Sequence, residues 1–325
     1  MSWSGDVAWL PRMGYGQLEG VRLPVSRLVL GTFPFSPERQ EEADALLDLF
    51  VAAGGTAIDT APAYGWGDSE RAIGAWLDKR RMRERVVVIS KGAHPPAGQW
   101  EPRVTPAAID EDLSASLDRL RLEAIDLYLL HRDDPSVPVG PLIEQLNQQL
   151  AAGRINAIGV SNWSHSRIAE ANVYATRRGL RGLVASSPQF ALAVPNQPIW
   201  PDCVSIAGDA EALTWYRATE LAVMAWSAQA GGFFSGRFAP EACSDPYVAR
   251  VYDRPDNWER LRRVQYVAKQ WGCTASQVAL SWALHQSPRM YAIVGPRTVA
   301  ELEDCLGALR FTPAAQEMSW LNLDQ

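Results

Sequence analysis

"LVLGTFPFSPER", Leu28 to Arg39, is the stretch whose reading decides the fold. An apolar run stops at Gly31 and Thr32, and a helical pattern begins a few residues later. An open, doubly wound nucleotide-binding sheet would place a G-x-G-x-x-G turn at this junction, to grip a phosphate. The junction holds Gly31, Pro34 and Pro37 instead. The doubly wound sheet is therefore the weaker of two readings, and the rest of the chain supplies the other.

Working outward, similar β-rich runs recur with helical patterns between them. After Leu28–Thr32 they are 57–61, 86–91, 125–131, 155–161, 183–190, 221–227 and 291–296. Near-continuous apolar runs suit parallel strands covered on both faces. "PERQEEADALLDLFVAAGG" closes on Gly54 and Gly55 as a helix C-cap, and "TPAAIDEDLSASLDRLRL" opens with Thr105 as N-cap and Pro106 in the first turn. Eight strand–helix units with no linker predict one α/β domain over residues 1–325, a closed (β/α)8 or TIM barrel. "YGQLEGVRLP" predicts a hairpin turning at Glu19–Gly20 before the first strand, placed to plug the barrel bottom. Long loops are expected after strand six (191–208) and strand seven (228–257), with two helices before the last strand.

Composition narrows the function. The chain has 325 residues, a 47% hydrophobic fraction and a net charge of -6. No basic stripe is present to gather phosphates along a nucleic acid, and the cationic run Asp78–Arg85 reads as a solvated helix end. Cys203, Cys243, Cys273 and Cys305 are widely spaced, and no metal-ligand grouping is expected from four histidines. The N-terminal "MSWSGDVAWLPRM" lacks an apolar signal segment, and no run is long enough to span a membrane. The expectation is a soluble cytoplasmic protein with no nucleic-acid or membrane partner.

In such a barrel the active site lies at the C-terminal ends of the strands. Those ends carry Thr32, Asp59, Lys91, His131, Ser161–Asn162, Ser187 with Gln189, Trp226–Ser227, and Gly295 with Arg297. Three successive strands ending on Asp59, Lys91 and His131, with Tyr64 in the adjoining turn, compose a proton donor facing a carbonyl. Lys91 is expected to lower the Tyr64 phenol, Asp59 to hold Lys91 charged, and His131 to bond a carbonyl oxygen or the phenol. The bland alternative is an Asp59–Lys91 ion pair closing the barrel top. Arg132 and Asp133, after His131, could meet substrate hydroxyls, but ion pairing is the stronger reading.

The chain resembles the aldo-keto reductases over nearly its whole length. The resemblance rests on "AIDTAPAYGWGDSERAIGAWL", "VVVISK", "IDLYLLHRDDP", "INAIGVSNW", "AWSAQAGGFFSGR" and "VGPRT". It implies reduction of an aldehyde or ketone to an alcohol by hydride transfer from a nicotinamide cofactor, with Asp59, Tyr64, Lys91 and His131 as catalytic tetrad and no metal. Tyr64 would be the general acid, and the base in the reverse direction. Cofactor contacts are implied at Gly31, Thr32, Asp59, Ser161, Asn162, Trp226, Ser227, Ala228, Gln229, Arg237, Gly295, Arg297, Thr298 and Asp304. Ser187 or Gln189 would complete the contact to the nicotinamide amide.

NADPH is favoured over NADH on the strength of Arg297, although Glu301 would repel a phosphate unless it serves as a helix cap. Cys305 stands where relatives carry an amide side chain. Tyr64, His131, Trp66 and Trp200 are expected to line a pocket for a sugar-like or small polar aldehyde or ketone, whereas Trp100 reads as padding. Homo-oligomerisation is left open. Two other functions remain: a Schiff-base aldolase or lyase using Lys91, and a cofactor-binding regulatory module.

Overall fold

The computed structural model describes residues 12–96, 98–99, 101–240, 245–287 and 289–324. The N-terminal stretch up to residue 11, Trp100 and Cys243 lie outside the described residues.

A two-residue antiparallel pair, β1 (Tyr15–Gly16) and β2 (Val25–Ser26), precedes the barrel. Its turn contains Gly20 at φ +83°, a left-handed conformation that costs glycine little. Eight parallel strands then close on themselves: β3 (Leu28–Gly31), β4 (Ala57–Asp59), β5 (Val87–Gly92), β6 (Leu127–Leu130), β7 (Ile158–Ser161), β8 (Ala185–Ser187), β9 (Ala222–Ala225) and β10 (Met290–Val294). Register is continuous around the ring, with β10 pairing β3 to close it. The strands are shorter than the apolar runs that predict them: the fourth run begins at Ile125, but only an isolated bridge joins Ile125 to Ile155 before β6 starts.

Period two splits every strand between two cores. Val29, Ala57, Val87, Ile89, Leu127, Leu129, Ala185, Ala222, Met224, Tyr291 and Ile293 face the barrel interior, where Leu18, Val21 and Val25 of the hairpin segment join them. The alternate residues, among them Leu28, Leu30, Ile58, Val88, Leu130, Val160 and Val223, pack under the helices. The hairpin thus seals the interior with apolar side chains at the end where the strands begin, which leaves the other end for chemistry.

The covering helices are α1 (Gln40–Ala52), α2 (Asp68–Arg80), α3 (Pro106–Leu120), α4 (Val139–Ala151), α5 (His165–Arg178), α6 (Ala210–Thr219), α8 (Pro255–Trp271), α9 (Ala275–Leu284) and α10 (Val299–Gly307). Caps follow the sequence: Thr105 Oγ1 accepts from the Ala108 amide at 3.1 Å, and Gly54 sits at φ +87° just past α1. A C-terminal helix, α11 (Ala315–Leu321), follows α10.

The loop after β8 is irregular until Asp209 caps α6. The loop after β9 differs from its expectation. It carries a short helix, α7 (Pro246–Tyr252), and α8 begins at Pro255, so Asn257 lies inside a helix. The sequence hides this because Pro246 and Pro255 read as breakers, yet both occupy first-turn positions where a missing N–H costs nothing. The two long loops are also tied together. Buried Asn257 accepts from the Val194 amide at 2.9 Å and donates to the Val194 carbonyl at 2.8 Å, while Asn196 N–H donates to the Val251 carbonyl at 2.7 Å.

Candidate active site

The interior register determines which side chains meet at the mouth. In β4 it runs Ala57, Asp59; in β5 it runs Val87, Ile89, Lys91. In β6 it runs Leu127, Leu129 and on to His131, past the strand end. Each apolar stripe therefore ends in a group that ionises, at the open end of the barrel.

Asp59, Lys91 and Tyr64 form one bonded unit. Lys91 Nζ donates to Asp59 Oδ2 at 2.8 Å, to the Tyr64 hydroxyl at 2.9 Å and to the Thr60 carbonyl at 3.0 Å. The Tyr64 hydroxyl reaches the same Asp59 oxygen at 3.3 Å. Asp59 Oδ1 is 2.7 Å from the ammonium but has no aligned hydrogen bond and is sealed from solvent. Tyr64 reaches this point because its turn is tight: it opens a 3₁₀ segment, Tyr64–Gly67, with Gly65 and Trp66 both left-handed at φ 57° and 53°. The turn is clamped from behind. Ser69 Oγ lies 2.7 Å from Thr32 Oγ1, 2.9 Å from Thr60 Oγ1 and 2.9 Å from the Thr32 carbonyl. Asp68 begins α2 and pairs with Arg71.

Burial opposes charge on Lys91, but Asp59 and Tyr64 outweigh it and hold the ammonium above the ordinary lysine value. For Tyr64, Lys91 lowers the phenol as expected but is outweighed. Burial first, then the Asp59 charge, push the phenol up to about 12, and Lys91 offsets only part of that rise. Tyr64 therefore keeps its proton at neutral pH. Burial, then the charges of Arg132 and Lys91, push His131 well below the ordinary histidine value, so its ring is neutral. His131 meets Tyr64 edge to face, with ring centroids 5.9 Å apart, rather than through a hydrogen bond, and its Nδ1 is buried without a partner.

The other predicted residues surround this unit with varied partners. Ser161 Oγ donates to the Ser187 carbonyl at 2.8 Å, and Asn162 Nδ2 donates to the His131 carbonyl at 3.2 Å. Ser187 Oγ is spent on the Met224 carbonyl at 2.7 Å. Gln189 accepts from Ser205 at 2.5 Å, while its Nε2 is buried and unpaired. Trp226 stacks on half-exposed Trp200 at 5.5 Å. After it, Ser227 and Ala230 are left-handed at φ 54° and 52°, Ala228 is buried, and Gln229 Oε1 lies 3.5 Å from Cys305 Sγ.

Arg237 is exposed; its Nε donates to Ser235 Oγ at 2.9 Å and its guanidinium lies over the Phe238 ring. Arg297 is exposed beside exposed Gly295. Thr298 accepts from the Glu301 amide at 3.2 Å, and the Glu301 carboxylate accepts from the Arg297 amide at 2.7 Å. Glu301 thus caps α10 from one residue further back than a standard capping box. Asp304 Oδ1 accepts from Thr274 at 2.8 Å and Gln277 at 3.0 Å, which ties α10 to α9. Trp66 is exposed.

A family model described as the aldo/keto reductase family matches residues 27–322. The chain belongs to the aldo/keto reductases. It is 29% identical over 327 residues to the uncharacterised oxidoreductase YrpG of Bacillus subtilis, spanning 95% of each chain. Norsolorinic acid reductase stcV of Emericella nidulans is 29% identical, over 88% of this chain and 74% of the relative. Aldo-keto reductase yakc [NADP(+)] of Schizosaccharomyces pombe is 26% identical, over 85% and 80%. With the Tyr64–Lys91–Asp59 network in place, this aldo/keto reductase is an oxidoreductase acting on carbonyl and CH–OH groups with a nicotinamide cofactor.

Two mouth residues escaped the sequence reading. Phe33 is exposed and packs its ring edge-on against Tyr64 at 5.4 Å. His94 lies with its ring 4.8 Å from that of His131. Both stand just past strand ends, so the position of each was the available signal. Arg132 was expected to form an ion pair. Asp133 pairs instead with Arg167 at 3.0 Å, and among the described residues Arg132 has no carboxylate within ion-pair distance.

Proposed function

We propose that this reductase uses NADPH to convert an aldehyde or ketone to its alcohol, with Tyr64 as general acid. One observation carries this reading: buried Lys91 donates at once to Asp59 and to the Tyr64 hydroxyl. Lys91 and Asp59 neutralise each other and fix the phenol at the mouth. As negative charge grows on the carbonyl oxygen, Tyr64 supplies a proton, and the nearby ammonium stabilises the phenolate that remains. Neutral His131 lies beside the phenol and orients the carbonyl oxygen. In the oxidative direction Tyr64 takes the proton back. The charged, carboxylate-paired Lys91 disfavours the Schiff-base reading, which needs a free amine.

The nicotinamide cofactor supplies the hydride when bound. The residues present fit it. Gln189 Nε2 is a buried donor with nothing to bond, next to the Ser161–Asn162 corner, whereas Ser187 has already spent its donor; Gln189 is therefore the better partner for a carboxamide oxygen. Trp226, Ser227, Ala228 and Gln229 follow β9, next to β8, while Gly31 ends β3 and Thr32 follows it, beside Asp59. Arg237 and Arg297 are exposed guanidiniums with no ion pair among the described residues, suited to the pyrophosphate and 2′-phosphate. The capping Glu301 carboxylate occupies the Arg297 amide at that helix start, so a 2′-phosphate would rely on the Arg297 guanidinium rather than on this amide. Asp304 is the weakest of the proposed contacts, because its Oδ1 is engaged with α9. Trp66 and Trp200 would line the substrate side.

Among the described residues no helix is long and apolar enough to cross a membrane. We place the protein in the cytoplasm and read its 325 residues as one domain. The decisive experiment follows NADPH absorbance with a panel of aldehydes and ketones. Silence across the panel despite tight NADPH binding would replace the enzyme reading with the regulatory one.

A further inference from the structure

Six aspartate, glutamate, lysine and arginine side chains are buried among the described residues: Asp44, Asp59, Glu70, Lys91, Asp126 and Arg132. Five have an opposite charge at 2.6–2.8 Å. Asp44 meets Lys79, Asp59 meets Lys91, Glu70 meets Arg119, and Asp126 meets Arg83. Arg132 alone has none. It is 9% exposed, and among the described residues its side chain's only hydrogen bond runs from Nη1 to the carbonyl of its neighbour His131, at 3.0 Å. The acid next in sequence is unavailable, since Asp133 is bound to Arg167 through both oxygens at 3.0 and 3.1 Å.

A guanidinium taken out of water without a counter-charge is costly, and folds normally avoid it or pair it. The rest of this guanidinium is not sealed away: none of its nitrogens is among the buried atoms left without a partner. The structure thus presents a largely desolvated cation with a fork of open donors. Its position is informative. It follows His131 directly, and its field reaches His131, His94 and Cys203 together, at the substrate side of the mouth. His94 completes the corner. Its Nδ1 lies 2.7 Å from the Pro95 carbonyl, which can only accept, so Nδ1 carries the proton and the ring is in its Nδ1–H form. Burial, then the charge of Arg132, hold His94 below the ordinary histidine value, which leaves the ring uncharged with Nε2 as an acceptor, so Arg132 is the unpaired cation of this corner.

We propose that Arg132 is an anion subsite, and that the carbonyl substrate carries an oxyanion, a carboxylate or a phosphate, on the side of its carbonyl near His131. This rests on the carbonyl-reductase reading above and names the substrate class for the same site. The oxyanion completes the ion pair that the fold leaves open, through the bidentate geometry for which a guanidinium is suited. An uncharged carbonyl of the same size leaves Arg132 as it is and gains nothing from it.

The test uses matched pairs with NADPH: 4-oxobutanoate against butanal for the carboxylate, and glyceraldehyde 3-phosphate against glyceraldehyde for the phosphate. Wild type should prefer the charged member of at least one pair in kcat/KM, and which pair shows it identifies the oxyanion. The preference should shrink as salt is raised. Arg132→Leu should raise KM for the charged member by about 10- to 100-fold and change KM for its uncharged twin far less. Arg132→Lys, which keeps the charge without the fork, should recover part of the preference.

Equal kcat/KM for both members of both pairs in wild type overturns the proposal without any variant. So does an equal loss on both members in Arg132→Leu when circular dichroism shows it folded, since that is a packing role. Failure of wild type to reduce any of the four compounds, or any aldehyde of the wider panel, would instead refute the reductase reading.

Discussion

Two carboxylates on neighbouring segments, Asp59 and Glu70, are almost equally buried, and each meets a base. Glu70 spends one oxygen on Ser90 at 2.7 Å and the other on Arg119 at 2.7 Å, so both its oxygens are satisfied. Asp59 directs one oxygen to Lys91 and Tyr64 and leaves the other without an aligned bond. The first pair holds α2 and α3 against the barrel. The second holds a phenol whose proton can leave. The difference between a structural pair and a chemical one lies in the third partner, not in burial or in the ion pair itself.

Removing the phenol should give the largest effect. Tyr64→Phe keeps the ring and loses the proton, so turnover should fall by about 10³-fold or more while NADPH binding, followed by fluorescence, changes little. Retention of most activity would end the comparison, since the Asp59 pair would then be only structural. Arg119→Met attacks the other side. It leaves the Glu70 charge buried and unpaired, which should cost about 3–5 kcal/mol in urea unfolding, with kcat in the folded fraction within a few-fold of wild type. A turnover loss as large as that of Tyr64→Phe would show that the two pairs are not separable.

The next effect concerns pH. His131 is held well below its ordinary value, so the unfolded chain binds the extra proton first. Its contribution is complete above the unfolded pKa of about 6.5 and is lost as pH falls below it, by about 1 kcal/mol per unit. Unfolding curves at several pH values should show a shallower acid decline in His131→Gln; parallel declines would remove His131 from the neutral-ring role. The smallest effect is expected far from the pairs. Thr298→Ala removes the cap of α10, for a cost near 1 kcal/mol by thermal unfolding. If it also weakens NADPH more than NADH, the start of α10 belongs to the phosphate site as well as to the fold.

Much of the site was legible because strands obey period two. Once 57–61, 86–91 and 125–131 are read as parallel strands of one barrel, Asp59, Lys91 and His131 must share a mouth. The turn "APAYGWG" likewise marks where Tyr64 lies, since proline and glycine confine the chain there. What could not be read was set by partners distant in sequence. Thr32 and Thr60, not the substrate, hold Ser69; Asp133 chose Arg167 over its neighbour Arg132; and Pro246 and Pro255 start helices rather than ending them.

The sequence by itself therefore determined the barrel, its plug and the identity of the groups at its mouth, because alternation and end-of-strand position are local properties of the chain. Only the tertiary structure decided their charge states and loyalties. Burial outweighs Lys91 in raising Tyr64 to about 12. Gln189 rather than Ser187 retains a free donor, and Arg132 is left without an acid. Desolvation and competition for hydrogen-bond partners depend on everything that packs around a group, and no stretch of sequence contains that.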